Sequence, residues 1–130
     1  MIVPPGFGTV VPYIFAEEWD AYVAFLIAAF GAVEVGRSMR GDGGIANVQL
    51  RFGGTTIMLS DVSAVYPASR VSLYLYVDDA DAAMARALAA GGHCEMAVGD
   101  MPYGDRQGGI RDPRGNIWWV SQRLTDEPYF

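Results

Sequence analysis

Residues 108–122 read GGIRDPRGNIWWVSQ. Within this run, Pro113 fixes φ after Asp112 and Gly115 supplies the positive φ that returns the chain, so DPRG is predicted to be a tight reversal. The flanking residues suit strands, which makes the stretch the last hairpin of a β-rich domain with two adjacent tryptophans on its second strand. Neighbouring strand residues point to opposite faces. Trp118 and Trp119 therefore cannot share one core, and one indole must look elsewhere.

Upstream of this hairpin, RVSLYLYV (70–77) reads as a strand. DDADAAMARALAAGG (78–92) reads as an alanine-rich helix with Asp78 or Asp79 as N-cap and Gly91 or Gly92 as its stop. HCEMAV (93–98), RQGGIRD (106–112) and NIWWVSQRL (116–124) are the strands that follow. The first half has the same grammar. GTVVPYIF (8–15) is a strand, and in AEEWDAYVAFLIAAFG (16–31) Tyr22, Val23, Phe25, Leu26 and Phe30 recur at helical spacing until Gly31. Glu17, Glu18 and Asp20 are placed in the first turn, where carboxylates complement the positive end of the helix dipole. VEVGRSM (33–39), GIANVQLRF (44–52) and TTIMLSD (55–61) complete three strands, the last two joined by Gly53–Gly54 as a tight hairpin. SAVYPAS (63–69) reads as a short linker. The expectation is one α+β domain over residues 1–130 built from two βαβββ units, about 8–61 and 70–124. Each unit leaves an open edge and an uncovered face, so two curled half-sheets are expected to close against each other or against a second chain.

Composition narrows the function. Nine basic residues, all Arg, against fifteen acidic ones give a net charge of −6 and a pI near 4.5, the wrong sign for tracking nucleic-acid phosphates or anionic lipid. No apolar run reaches membrane-spanning length, and MIVPPGFGTV lacks the charged and apolar regions of a secretory leader, so a cytoplasmic protein with no membrane partner is expected. The single Cys94 can form no internal disulfide and reads as a small buried apolar residue. His93, the only histidine, lies just after a helix stop and suits a surface or capping role better than metal or acid–base work.

The two βαβββ units, AFGAVEVGR (29–37) and MPYGDRQGGIRDPRGNIWWVSQRL (101–124) together resemble the vicinal oxygen chelate superfamily, which includes glyoxalase I, fosfomycin- and bleomycin-resistance proteins and extradiol dioxygenases. The resemblance covers nearly the whole chain and is strongest to the single-domain glyoxalase/bleomycin-resistance-like branch. It implies a curled mixed sheet completed by dimerisation. Metal enzymes of this superfamily place His, His and Glu, or close variants, on inner strand faces around one divalent ion. The resemblance puts those positions at Val11 or Pro12, Met58, Ser72 and Trp119, with Asn47 where relatives often carry His. None is an ordinary ligand for a catalytic divalent metal, so no metal and no other cofactor is expected.

The same resemblance sets strand parity. Trp119 then faces the inner cavity and Trp118 the helix side, with Ser72, Tyr74 and Tyr76 beside Trp119 and with Leu73, Leu75 and Val77 packed behind. Asn47 and Gln49 offer amides from another strand, Met58 a pliable wall, and the loop GDMPYGDRQGG (99–109) brings Tyr103, Asp105 and Arg106 as a lid or a plain hairpin. The expected ligand-binding set is Asn47, Gln49, Met58, Ser72, Tyr74, Tyr76, Tyr103, Arg106 and Trp119. Packing or a dimer contact accounts for the aromatic residues equally well, and an exposed strand face accounts for Asn47, Gln49 and Arg51.

Two functions remain open. One is a metal-free small-molecule-binding protein of the bleomycin-resistance kind, a homodimer holding an aromatic or cationic ligand in an aromatic-lined cavity. The other is a glyoxalase-like lyase or isomerase with a non-standard active site, in which Tyr74, Tyr76, Asp105 or Arg106 handles protons.

Overall fold

In the computed structural model, which describes residues 1–130, strand β1 (Tyr13–Ala16) leads through helix α1 (Trp19–Phe30) to β2 (Val33–Met39), β3 (Ile45–Phe52) and β4 (Thr55–Asp61). The pattern then repeats as β5 (Ser72–Tyr76), α2 (Ala80–Ala89), β6 (His93–Asp100), β7 (Asp105–Arg111) and β8 (Ile117–Arg123). Each repeat forms its own four-stranded mixed sheet, in the orders β1-β4-β3-β2 and β5-β8-β7-β6. In each sheet the outer first strand runs parallel to the last, and the remaining pairs are antiparallel. The chain thus has the α+β, twofold βαβββ architecture expected of it, in two compact units, Met1–Arg70 and Val71–Phe130. Neither helix is long and apolar enough to cross a membrane.

In the first unit α1 buries Tyr22, Val23, Phe25, Leu26 and Ala29 on one stripe, and Gly31 ends the helix by donating its N–H to Ile27 O. Across the sheet, Ile14, Leu59 and Val48 are register partners and all fully buried. One residue along, Tyr13, Met58 and Gln49 form the matching row on the opposite face. The start of α1 differs from expectation: Trp19 is its first residue and Glu18 its N-cap in a left-handed conformation (φ 49°), so of the three early carboxylates only Asp20 lies in the first turn.

In the second unit Asp79 caps α2, its side chain accepting from Ala82 N. The helix lies close to the sheet, since a Cβ placed on Gly108 would stand 2.9 Å from Met84 Sδ. That contact makes the even-numbered positions of β7 helix-facing. Ile110 and its partner Trp118 accordingly lie in the core.

The DPRG turn fixes this arrangement. Gly115 has φ 86° and its N–H donates to Asp112 O at 3.0 Å. The Asp112 carboxylate is buried and spends both oxygens on the hairpin: Oδ1 accepts from Arg114 N (2.8 Å) and Asn116 N (3.0 Å), and Oδ2 accepts from Trp118 Nε1 (2.8 Å). Asn116, also buried, accepts from Val71 N at the entrance of β5. The turn therefore sets which indole goes inward.

Cys94, expected to be buried, is exposed. It sits on β6, the outermost strand of its sheet, immediately before a register shift between Cys94 and Met96 that breaks regular pairing with β7. His93 is exposed as well.

If Trp118 is the core indole, Trp118→Ala should destabilise the protein by about 3–5 kcal/mol in urea unfolding. Trp119→Ala should cost clearly less, and the opposite ranking would show that the parity is inverted.

Candidate functional site

The open face of the second unit follows from the register. Tyr74 pairs with Trp119, and Trp119 with Gly109; two residues along, Tyr76 pairs with Ser121, and Ser121 with Gln107. The half-buried Trp119 indole is held at both ends. Its Nε1 donates to Ser72 Oγ at 2.7 Å, while its benzo edge lies over Gly109, where a Cβ would come within 2.8 Å of Cζ3. Beside it stand Tyr74 and Tyr76, 45% and 56% exposed, with ring centroids 5.3 Å apart. Exposed aromatic rings next to a fixed indole form a surface suited to flat apolar molecules.

A polar network underlies the rings. Asp105 is fully buried, and its Oδ2 accepts from the hydroxyls of Tyr74 and Tyr129, each at 2.6 Å. Its Oδ1 accepts from Arg123 Nη1 at 2.9 Å. The Tyr76 and Tyr129 hydroxyls are 2.8 Å apart. Gln107 donates through Nε2 to the buried Ser121 Oγ at 2.7 Å and accepts through Oε1 from the Tyr103 hydroxyl. Burial works to raise the Asp105 carboxyl, but the hydrogen bonds from Tyr129, Tyr74 and Arg123 outweigh it and hold the group below the ordinary aspartate range. The Tyr74 phenol is pushed up by burial and by its bond to Asp105; Tyr129 is pushed up chiefly by Asp105 and Tyr76.

Of the residues singled out from the sequence, Ser72, Tyr74, Tyr76, Tyr103 and Trp119 meet in this unit. Arg106 does not join them. It follows Asp105 along β7 and so points to the helix side, where it binds Asp81 on α2 through Nε and Nη2 (2.7 and 3.0 Å) and Asp100 through Nη1 (2.9 Å). Asn47, Gln49 and Met58 belong to the first unit. There, Asn47 and Gln49 line a shallow groove of about 270 Å³ with Val35, Gly36, Arg37 and Ser38. Arg37 is bound to Glu34 and lies over the Trp19 ring at 5.2 Å. Sequence reasoning missed Gln107, Ser121 and Arg123, although alternation outward from Trp119 and Asp105 places them on this face. It also missed Tyr129, which lies beyond the last strand where no periodicity reaches.

The positions at which the resemblance looks for metal ligands hold Val11 or Pro12, Met58, Ser72 and Trp119, and no three His, Cys, Asp or Glu side chains converge anywhere in the structure. The residues of this chain do not fit a divalent ion.

The family model of the Glyoxalase/Bleomycin resistance protein/Dioxygenase superfamily matches residues 7–120. The chain belongs to that superfamily. An uncharacterized protein of Mycobacterium tuberculosis is 34% identical over 126 residues, covering 88% of this chain and 74% of its own. Among solved structures, TioX from Micromonospora sp. ML1 superposes with a TM-score of 0.72 at 26% identity, over 88% of this chain and 96% of TioX. TnmS3, an antibiotic-binding protein from Streptomyces sp. CB03234, shares the fold with a TM-score of 0.72 at 23% identity, over 94% of this chain and 97% of TnmS3. The matches to the glyoxalase/bleomycin-resistance superfamily thus cover the framework of both units.

The Asp105 network makes stability pH-dependent in a defined direction. Its carboxyl titrates lower in the folded chain than the unfolded value of about 3.9, so its ionised form adds stability above that pH, and the contribution is lost as pH falls through the lower folded value. Urea unfolding of the parent between about pH 5 and about pH 2 should show this loss. Asp105→Asn should be less stable at neutral pH and lack that part of the acid dependence.

Proposed function

We propose that the protein is a metal-free binding protein of the glyoxalase/bleomycin-resistance type, acting in the cytoplasm as a homodimer, which holds a small aromatic ligand on the open face of its second unit. The observation that carries this reading is the Trp119 indole, fixed by Ser72 and laid over Gly109, beside two largely exposed tyrosines. Fixing both ends of the indole before any ligand arrives removes an ordering cost that a mobile ring would pay on binding. A net charge of −6 favours an uncharged or cationic ligand over an anionic one. The antibiotic-binding protein TnmS3 offers a precedent for ligand capture on this fold.

The lyase or isomerase reading has less support. A general base works best with a pKa near the operating pH, whereas Asp105 is held low, Tyr74 high, and Arg106 is bound to two carboxylates on the other face.

Planar, uncharged or cationic aromatic compounds should raise the melting temperature and change the tryptophan fluorescence of the parent protein. Trp119→Ala should abolish both effects while Trp118→Phe keeps them; a ligand at about 100 times its Kd adds about 2.7 kcal/mol. No response to any compound, or an unchanged response in Trp119→Ala, would refute the reading. Light scattering at micromolar concentration should give twice the chain mass, and a monomer there would refute the homodimer.

A further inference from the structure

Residues beyond β8 carry no regular secondary structure, and residues 126–130 are exposed. Within this segment Tyr129 is nevertheless held through its hydroxyl and one face of its ring. Its hydroxyl donates to the fully buried Asp105 at 2.6 Å and meets the Tyr76 hydroxyl at 2.8 Å, while the Arg123 guanidinium carbon lies 4.0 Å from its ring centroid. The ring itself remains 43% exposed. Burial thus contributes little to holding the ring; its own contacts are those of a phenol, while Arg123 Nη2 ties the segment before it through Glu127 O at 2.6 Å. Asp105 stays anchored without it, through Tyr74 Oη on the same oxygen and Arg123 on the other. Removing Tyr129 would uncover a charged acceptor, a neighbouring hydroxyl and a cation positioned over an empty ring site.

We infer that this polar end of the open face recognises the hydroxyl of a neutral hydroxyaromatic ligand, and that Tyr129 occupies the site as a built-in competitor. The inference rests on the proposed ligand-binding role of that face and specifies the ligand class. A free phenol can repeat each contact of Tyr129: its O–H donates to Asp105 Oδ2, its oxygen meets Tyr76, and its ring lies under Arg123. A phenolate would bring a second negative charge against the carboxylate and is disfavoured. An aryl methyl ether has no proton to donate and leaves Asp105 short of a partner. A ligand must also displace Tyr129, so its apparent affinity is reduced by the fraction of molecules in which the site is filled.

The test uses 2-naphthol and 2-methoxynaphthalene, titrated by fluorescence into the parent protein, Tyr129→Ala and Tyr129→Phe. Tyr129→Ala should bind 2-naphthol about tenfold or more tighter than the parent and prefer it to the methyl ether by about tenfold or more. Tyr129→Phe, which keeps the ring and removes only the hydroxyl, should show a smaller gain in the same direction. Equal 2-naphthol affinity in the parent and both variants overturns the competitor. Equal affinity of Tyr129→Ala for the two naphthalenes overturns hydroxyl recognition while leaving an aromatic-binding face intact. Binding of neither compound by any of the three proteins overturns this inference together with the reading on which it rests.

Discussion

A single buried carboxylate sets the geometry on which the second unit depends. Asp112 accepts two backbone N–H groups of its own turn and the indole N–H of Trp118, so closing the hairpin and directing that ring inward are one event. A buried carboxylate missing one of these donors would carry a desolvation penalty of about 1–3 kcal/mol or more. The alternative in which the strand slips by one residue would lose the Trp118 bond and move every side chain of β8 to the wrong face. Trp119 looks outward as a consequence of Asp112.

The repeat makes the chemistry of the two units comparable position by position. In the first sheet the row on the open face runs Tyr13, Met58, Gln49 and Gly36; in the second, strands of the same order give Tyr74, Trp119, Gly109 and Met96. A tyrosine begins both rows, but the next position changes from a flexible thioether to a rigid indole, and the third from an amide to no side chain at all. The last two changes belong together, because the indole occupies the space that a side chain at Gly109 would need. One backbone plan therefore yields a soft amide-bearing surface in one unit and a hard aromatic one in the other.

This logic also explains what could be read from the chain before its structure. The strands at 33–39 and 55–61 are found where their β-branched and apolar residues place them, and Trp119 is outward, as the parity implied by the family resemblance has it. Boundaries failed where local signals conflict. β1 begins at Tyr13, after Pro12, whose missing N–H suits it poorly to a ladder, and α1 begins only after the left-handed Glu18. The expected strand 106–112 opens at Arg106 and leaves Asp105 in the loop segment 99–109 that overlaps it; with β7 starting at Asp105, alternation puts the two residues on opposite faces. Tyr129 was out of reach because its position depends on hydrogen bonds to Asp105 and Tyr76, 24 and 53 residues away.

The Asp105–Arg123 pair bears on why the face is built this way. Buried ion pairs are weak contributors to stability, since the desolvation of both groups cancels much of their attraction, and apolar replacements of similar volume are often at least as stable. Set against an apolar replacement, stability thus gives little reason to place a carboxylate with no solvent exposure beneath exposed tyrosines, although removing one partner of the network as built is destabilising. Its distinctive property is directional: with Arg123 on one oxygen, the other is left to point at hydroxyl groups, and Tyr74 and Tyr129 both take it. An apolar floor would hold aromatic rings by contact area alone and let them rotate. On the proposed reading, a fixed acceptor at one end would select both the orientation of a ring and the presence of a donor on it.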